Sequence, residues 1–136
     1  MLPALSIFFI SFAVYLHTIC PTVYVGDSGE LIAASYNLGI AHPPGYPIWC
    51  ILSKIFTVII PFGDIAFRVN ISSAFFAALS VVFLYLIIIK LFSPYGIFLK
   101  KYQLLLAGGT GAMLFAFSKT FWSQSVVAEV YTLNTL

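Results

Sequence analysis

The sequence predicts an all-α membrane protein, with three transmembrane helices and two short surface helices in the first extracytoplasmic loop. Three observations predict it. Hydrophobic residues make up 62% of the chain and charged residues 7%, whereas a soluble domain covers its surface with roughly a quarter charged residues. Apolar runs at residues 2–19, 71–92 and 104–121 each approach the length of about 20 residues that a helix needs to cross the hydrocarbon. Lys90, Lys100 and Lys101 gather in the short connection between the second and third runs, which the positive-inside rule places in the cytoplasm.

The first run tolerates Pro3 in its first turn and is stopped by Pro21. No Lys or Arg precedes it and no small-x-small cleavage site follows it, so it reads as a retained span rather than a signal peptide. Residues 28–38 form the first short helix, opened by an Asp-x-x-Glu pattern and closed by Gly39 in the C′ position. Residues 48–60, between Pro47 and Pro61 and carrying Lys54, would reach only about 20 Å as a helix. That is short for a span, so they form the second surface helix. Arg68 and Asn70 precede the second span, and Lys90 and Pro94 bound its far end. The third is rich in small residues. Its Gly108-Gly109-Thr110-Gly111 lacks the Gly-Lys-Ser/Thr of a phosphate loop and is expected to allow close helix packing. Trp122 and Tyr131 read as interfacial anchors, and Lys119 as a partner for Glu129 or a snorkelling lysine.

With the lysines inside, the loop at residues 20–69 and the end of the chain both lie outside. The chain closes in a helical-looking run, 125–136, without a cap, and is expected to be the N-terminal portion of a larger polytopic protein. No basic patch of the kind that binds nucleic acid is present. Cys20 and Cys50 form no metal-like cluster; they are expected as free thiols, with a disulfide allowed by their common side. Asn70-Ile71-Ser72 is a formal glycosylation sequon, expected to be unused because it abuts the membrane.

The candidate chemistry gathers in Gly26-Asp27-Ser28-Gly29-Glu30 and Ala41-His42-Pro43-Pro44-Gly45-Tyr46-Pro47. Two of the four acidic residues of the chain sit here, and a carboxylate beside a bilayer is costly unless it has a task. Asp27 and Glu30 also suit a capping box. His42 precedes two prolines, which fix its direction, and with Asp27 it could hold a divalent metal, although the spacing matches no recognised metal motif. Arg68, at the mouth of the second span, is suited to snorkelling or to a lipid phosphate. Glu129, an acid among apolar residues, completes the set.

The run Pro21-Thr22-Val23, Gly-Asp-Ser-Gly-Glu-Leu-Ile-Ala-Ala, Leu38-Gly39 and Ala-His-Pro-Pro-Gly-Tyr-Pro resembles a family of polytopic membrane proteins of the GT-C glycosyltransferase class. The resemblance continues through Pro61-Phe62-Gly63, Arg68-Val69-Asn70, Ser118-Lys119-Thr120-Phe121-Trp122-Ser123-Gln124 and Ala128-Glu129-Val130-Tyr131-Thr132-Leu133-Asn134. That family's animal member is an endoplasmic-reticulum protein O-mannosyltransferase, and its bacterial members are uncharacterised membrane proteins several times longer than this chain. The resemblance implies a polyprenyl-phosphate-linked sugar donor, such as one carrying mannose, and an extracytoplasmic acceptor such as a protein hydroxyl or a glycan. It also implies a catalytic carboxylate in the first extracytoplasmic loop. Asp27 matches that position, as general base or as ligand of a divalent metal, with Glu30 as its catalytic companion. His42, Arg68, Glu129 and Tyr46 are then expected to line the substrate site. A different class, a non-catalytic transport or assembly subunit, would use the same carboxylates as an ion path, but would set them near the bilayer midplane. Abundant Phe and Ile without signal features favour a bacterial plasma membrane over the endoplasmic reticulum.

Overall fold

The computed structural model describes residues 2–93 and 100–136, and Pro94, the expected stop of the second span, lies outside them. Seven α-helices, with no strand among the described residues, follow in the order α1 (Leu2–His17), α2 (Ser28–Asn37), α3 (Pro47–Ile59), α4 (Ile65–Phe92), α5 (Lys101–Ala116), α6 (Lys119–Ser125) and α7 (Tyr131–Thr135).

The 28-residue α4 is the axis, and every other helix packs against it. It starts six residues before the expected residue 71, because Asp64 caps it: the Phe67 N–H donates to Asp64 Oδ1 at 2.7 Å. Its buried face alternates small residues, Ala74, Ala77 and Ala78, with Val81 and Tyr85. Small side chains let α1 and α5 approach closely, and Ile7, Tyr15, Ala112 and Ala116 close this core from their side. The buried Tyr15 hydroxyl donates to the Ala116 carbonyl at 2.9 Å, tying α1 to the end of α5. A Cβ at Gly108 would stand 2.9 Å from Ile89 Cδ1, so the expected packing role of this glycine is met.

The third apolar run is not one helix. After Ala116 the chain turns by 67° into α6. Ser118 marks the break by donating its hydroxyl to the Phe115 carbonyl at 2.8 Å, one of the carbonyls that the end of α5 leaves open. Among the described residues, only α4 is by itself long and apolar enough to cross a membrane; α5 with α6 qualifies only as a bent pair, and α1 and α3 are apolar but shorter. Length and composition therefore do not establish three transmembrane helices. The bundle nevertheless has a clear polarity. Leu2, Pro3 and Leu5 share a groove with Leu86, Ile89 and Lys101. At the other end the Cys20 N–H donates to the Val126 carbonyl at 2.9 Å. Lys101 and the 20–64 connection thus occupy opposite ends.

The two short helices stand where the sequence placed them, packed on each other and on the first turns of α4. Their shared core joins Leu31, Ile32, Trp49, Cys50 and Val69 with Ala128 and Val130 from the α6–α7 link. A buried Ser53–Ser72 hydroxyl pair at 2.9 Å adds a polar tie. The outer face of α3 is apolar: Ile48, Ile51, Ile55, Val58 and Ile59 are all exposed. The left-handed residue ending α2 is Leu38, one position before the expected Gly39.

Candidate functional site

Asp27 and Glu30 enter the site from the start of α2. The expected capping box is absent: Asp27 makes no side-chain cap bond and its backbone is already helical. Both carboxylates turn instead toward His42. Glu30 Oε1 accepts from the His42 backbone N–H at 2.6 Å, and Glu30 Oε2 lies 3.1 Å from His42 Nδ1. Asp27 Oδ2 lies 3.9 Å from His42 Nε2. A tertiary partner wins here because one carboxylate receiving two N–H groups forms charge-assisted bonds, which are stronger than a neutral cap.

The prolines hold His42 in place. The Gly45 N–H donates to the His42 carbonyl at 2.8 Å, closing a turn that contains a cis Pro43–Pro44 bond. Tyr46 follows in the left-handed region, with φ 44°, and its carbonyl accepts the Cys50 N–H at 3.0 Å, launching α3. A non-glycine residue in this region costs about 1–2 kcal/mol and is worth noting beside a candidate site. The Tyr46 ring meets the His42 ring edge-on at 5.5 Å between centroids. Side-chain exposures of 63% for Asp27, 48% for Glu30 and 36% for His42 leave the cluster open on one side, as a site for a polar acceptor must be.

A carboxylate only accepts, so His42 Nδ1 carries the proton that faces Glu30, and in the neutral ring Nε2 presents its lone pair toward Asp27. Glu129 is near enough to feel the charges of Asp27 and His42. The expected helix at 125–136 is broken, and Glu129 sits in the link between α6 and α7. Ser73 of α4 grips its backbone, Ser73 Oγ lying 3.3 Å from both the N–H and the carbonyl oxygen of Glu129. Burial pushes the Glu129 carboxyl above the usual carboxylate range, and the negative charge of Asp27 adds to the rise; His42 and the Val130 N–H oppose it. Glu129 thus shares the electrostatic field of the cluster. Sequence reasoning missed Ser73 as its anchor, since nothing local distinguishes this serine from its neighbours on α4.

Arg68 has a different occupation. Its guanidinium donates to the carbonyls of Thr57, Phe62 and Gly63 at 3.0–3.2 Å and closes the turn from α3 into α4. No described contact brings it to His42. Lys119 makes no ion pair with Glu129 among the described residues, and Trp122 donates its indole N–H to Thr18 Oγ1 at 3.0 Å. Cys20 and Cys50 are free thiols; burial pushes the Cys50 thiol up, and a hydrogen bond with Ser35 opposes it. Asn70 of the sequon is fully buried and donates to the carbonyls of Cys20 and Thr22 at 2.8 and 3.0 Å. Among the described residues no three His, Cys, Asp or Glu side chains converge to hold a metal ion. Asp27 and His42 would supply two protein ligands to a divalent metal, the rest of its shell falling to water or substrate phosphate.

The fold and site define a class: a helical bundle with a hydrophobic exterior that carries a carboxylate–imidazole cluster at the end opposite Lys101. The chain belongs to the family of the protein O-mannosyl-transferase TMEM260 N-terminal domain, whose sequence model matches residues 27–136. It is 38% identical over 125 residues to the mouse protein O-mannosyl-transferase TMEM260, covering 91% of this chain and 16% of that protein. It is 30% identical over 125 residues to the Dictyostelium discoideum protein of the same name, covering 90% of this chain and 14% of that protein. The chain therefore spans about a sixth of the length of these relatives. Both are eukaryotic, which lends no support to the expected bacterial membrane. No solved structure matches the chain.

Proposed function

We propose that this chain forms the catalytic N-terminal part of a membrane mannosyltransferase, with Asp27 as general base toward the hydroxyl of an acceptor protein. The observation that carries the reading is the cluster of Asp27, Glu30 and His42 at the solvent-open end of the bundle, with Glu129 beside it. Crossings by α1, by α4 and by the bent α5–α6 pair would put this end outside and Lys90, Lys100 and Lys101 in the cytoplasm. From Arg68 to Lys90, α4 rises about 33 Å at 1.5 Å per residue, close to the hydrocarbon thickness of about 30 Å. The exposed apolar face of α3 then lies on the lipid.

A polyprenyl-phosphate mannose suits this setting, since its lipid stays in the bilayer while its sugar reaches the surface. Asp27 takes the proton of the acceptor hydroxyl, the oxygen bonds to the anomeric carbon with inversion, and the bond to the phosphate breaks, releasing polyprenyl phosphate. Tyr46 lines the sugar side of the cluster, and Arg68 keeps N–H groups beyond those given to carbonyls, suited to the donor phosphate. An ion path would place its ionisable groups near the midplane rather than at one end, which disfavours a transport subunit. Membranes holding the protein, given polyprenyl-phosphate mannose and an acceptor domain, are expected to form the mannosylated product. Transfer from a nucleotide-linked mannose in place of the lipid-linked one would overturn the donor assignment.

A further inference from the structure

We propose that His42 is the relay that carries the acceptor proton away from Asp27, and that Glu30 is a positioning residue that sets the imidazole for that task. The proposal rests on the assignment of Asp27 as base. Its geometry is independent of that assignment. The 3.9 Å between Asp27 Oδ2 and His42 Nε2 is too long for a direct hydrogen bond. One oxygen placed about 2.8 Å from each atom spans it with an angle near 90° at that oxygen, a width suited to one bridging water. With Nδ1–H held by Glu30, Nε2 offers a lone pair, so such a water donates one hydrogen to Asp27 and the other to His42.

Each step balances. The hydroxyl proton passes to Asp27 as the new glycosidic bond forms and polyprenyl phosphate departs. The carboxylic acid then gives its proton to the bridging water, which passes one of its own to Nε2. The imidazolium, stabilised by Glu30 and by the nearby Glu129, releases the proton to solvent from its exposed edge. Glu30 does this work in the manner of the third member of a hydrolase triad: it fixes tautomer and direction without touching the substrate. It grips both the His42 backbone N–H and the ring, and the Pro43–Pro44 turn removes the remaining freedom. The titratable groups facing the imidazole are Asp27 ahead of α2, Glu30 within α2, Tyr46 ahead of α3 and Glu129 from the α6–α7 link.

The test is transfer by His42→Ala in native membranes, with and without millimolar imidazole. A loss in kcat of about tenfold or more, recovered by imidazole while KM stays near the wild-type value, is expected. Unchanged turnover, or a loss that imidazole leaves in place in protein that still elutes as the wild type does, would overturn the relay. If the alanine variant does not fold, His42→Gln serves: its kcat should fall by a similar factor with KM near the wild-type value, and an unchanged kcat counts against the relay. Glu30→Gln should lower kcat with little change in KM; an unchanged kcat removes Glu30 from the positioning role. Asp27→Asn in the same assay separates the two claims. Its inactivity together with an unaffected His42→Ala would sink the relay alone, whereas an active Asp27→Asn would sink the base on which the relay rests.

Discussion

The amide of Asn70 donates to the Cys20 and Thr22 carbonyls, and so pins the chain leaving α1 onto the first turns of α4. Asn70→Leu would leave the Cys20 carbonyl without this partner and the Thr22 carbonyl with only the Cys20 thiol, and is expected to destabilise by roughly 1–3 kcal/mol, read as a lowered thermal midpoint in detergent. Glu129 works in the opposite direction. Its carboxyl is raised in the fold, so its favourable contribution is present below the unfolded carboxylate range and is lost as pH rises through the raised value. Glu129→Gln is therefore expected to raise the midpoint over wild type at neutral pH, with the gain fading toward about pH 4. A gain that grows on acidification would contradict the burial of this group. At this scale the sequence exposes residue types but not partners. The acids and His42 stand out because so little else is charged, yet Asp27-x-x-Glu30 looks like a capping box until the chain folds back over twelve positions to bring His42 within reach. Asp64, ahead of α4, held the cap that the apolar pattern alone did not reveal.

Among the elements, the glycine-rich part of α5 separates two roles that look alike in sequence. Gly108 faces Ile89 and Tyr85 of α4, while nothing lies within 4 Å of a Cβ built on Gly109. Gly108→Leu should overpack this contact and cost about 1–3 kcal/mol. Gly109→Ala should instead stabilise by up to about 1 kcal/mol through helix propensity. Unfolding of both variants in one detergent checks the contrast, and equal effects would contradict the α4–α5 packing. The apolar runs were legible as helices because hydropathy is local and summed over many residues. The 67° bend after Ala116 was not, since neither Pro nor Gly marks it and Ser118 reads like any polar residue near a span end. Residues 48–60 were legible as a helix for a different reason: flanking prolines bounded an apolar segment of this length, and the helix found has 13 residues.

For the whole molecule, the arrangement of α1, α4 and α5 sets Leu2 and Lys101 at one end and the Asp27–His42 cluster at the other. The lysine clustering anticipated this polarity because basic residues are counted, not folded, to obtain it. What no local pattern could supply is the return of the α6–α7 link to Ser73, which brings Glu129 into the field of the cluster from about a hundred residues away. In a Cys20→Ser, Cys50→Ser background, single cysteines at Val25 and Lys100 are expected to react with an impermeant thiol reagent from opposite sides of sealed membranes. Labelling from the same side would contradict the topology. The central claim, that Asp27 is the base of a mannosyl transfer, is tested most directly by comparing Asp27→Asn with wild type in membranes supplied with polyprenyl-phosphate mannose and an acceptor domain. A fall in turnover of about a hundredfold or more, at wild-type protein level, is the predicted result, and transfer at the wild-type rate would contradict it.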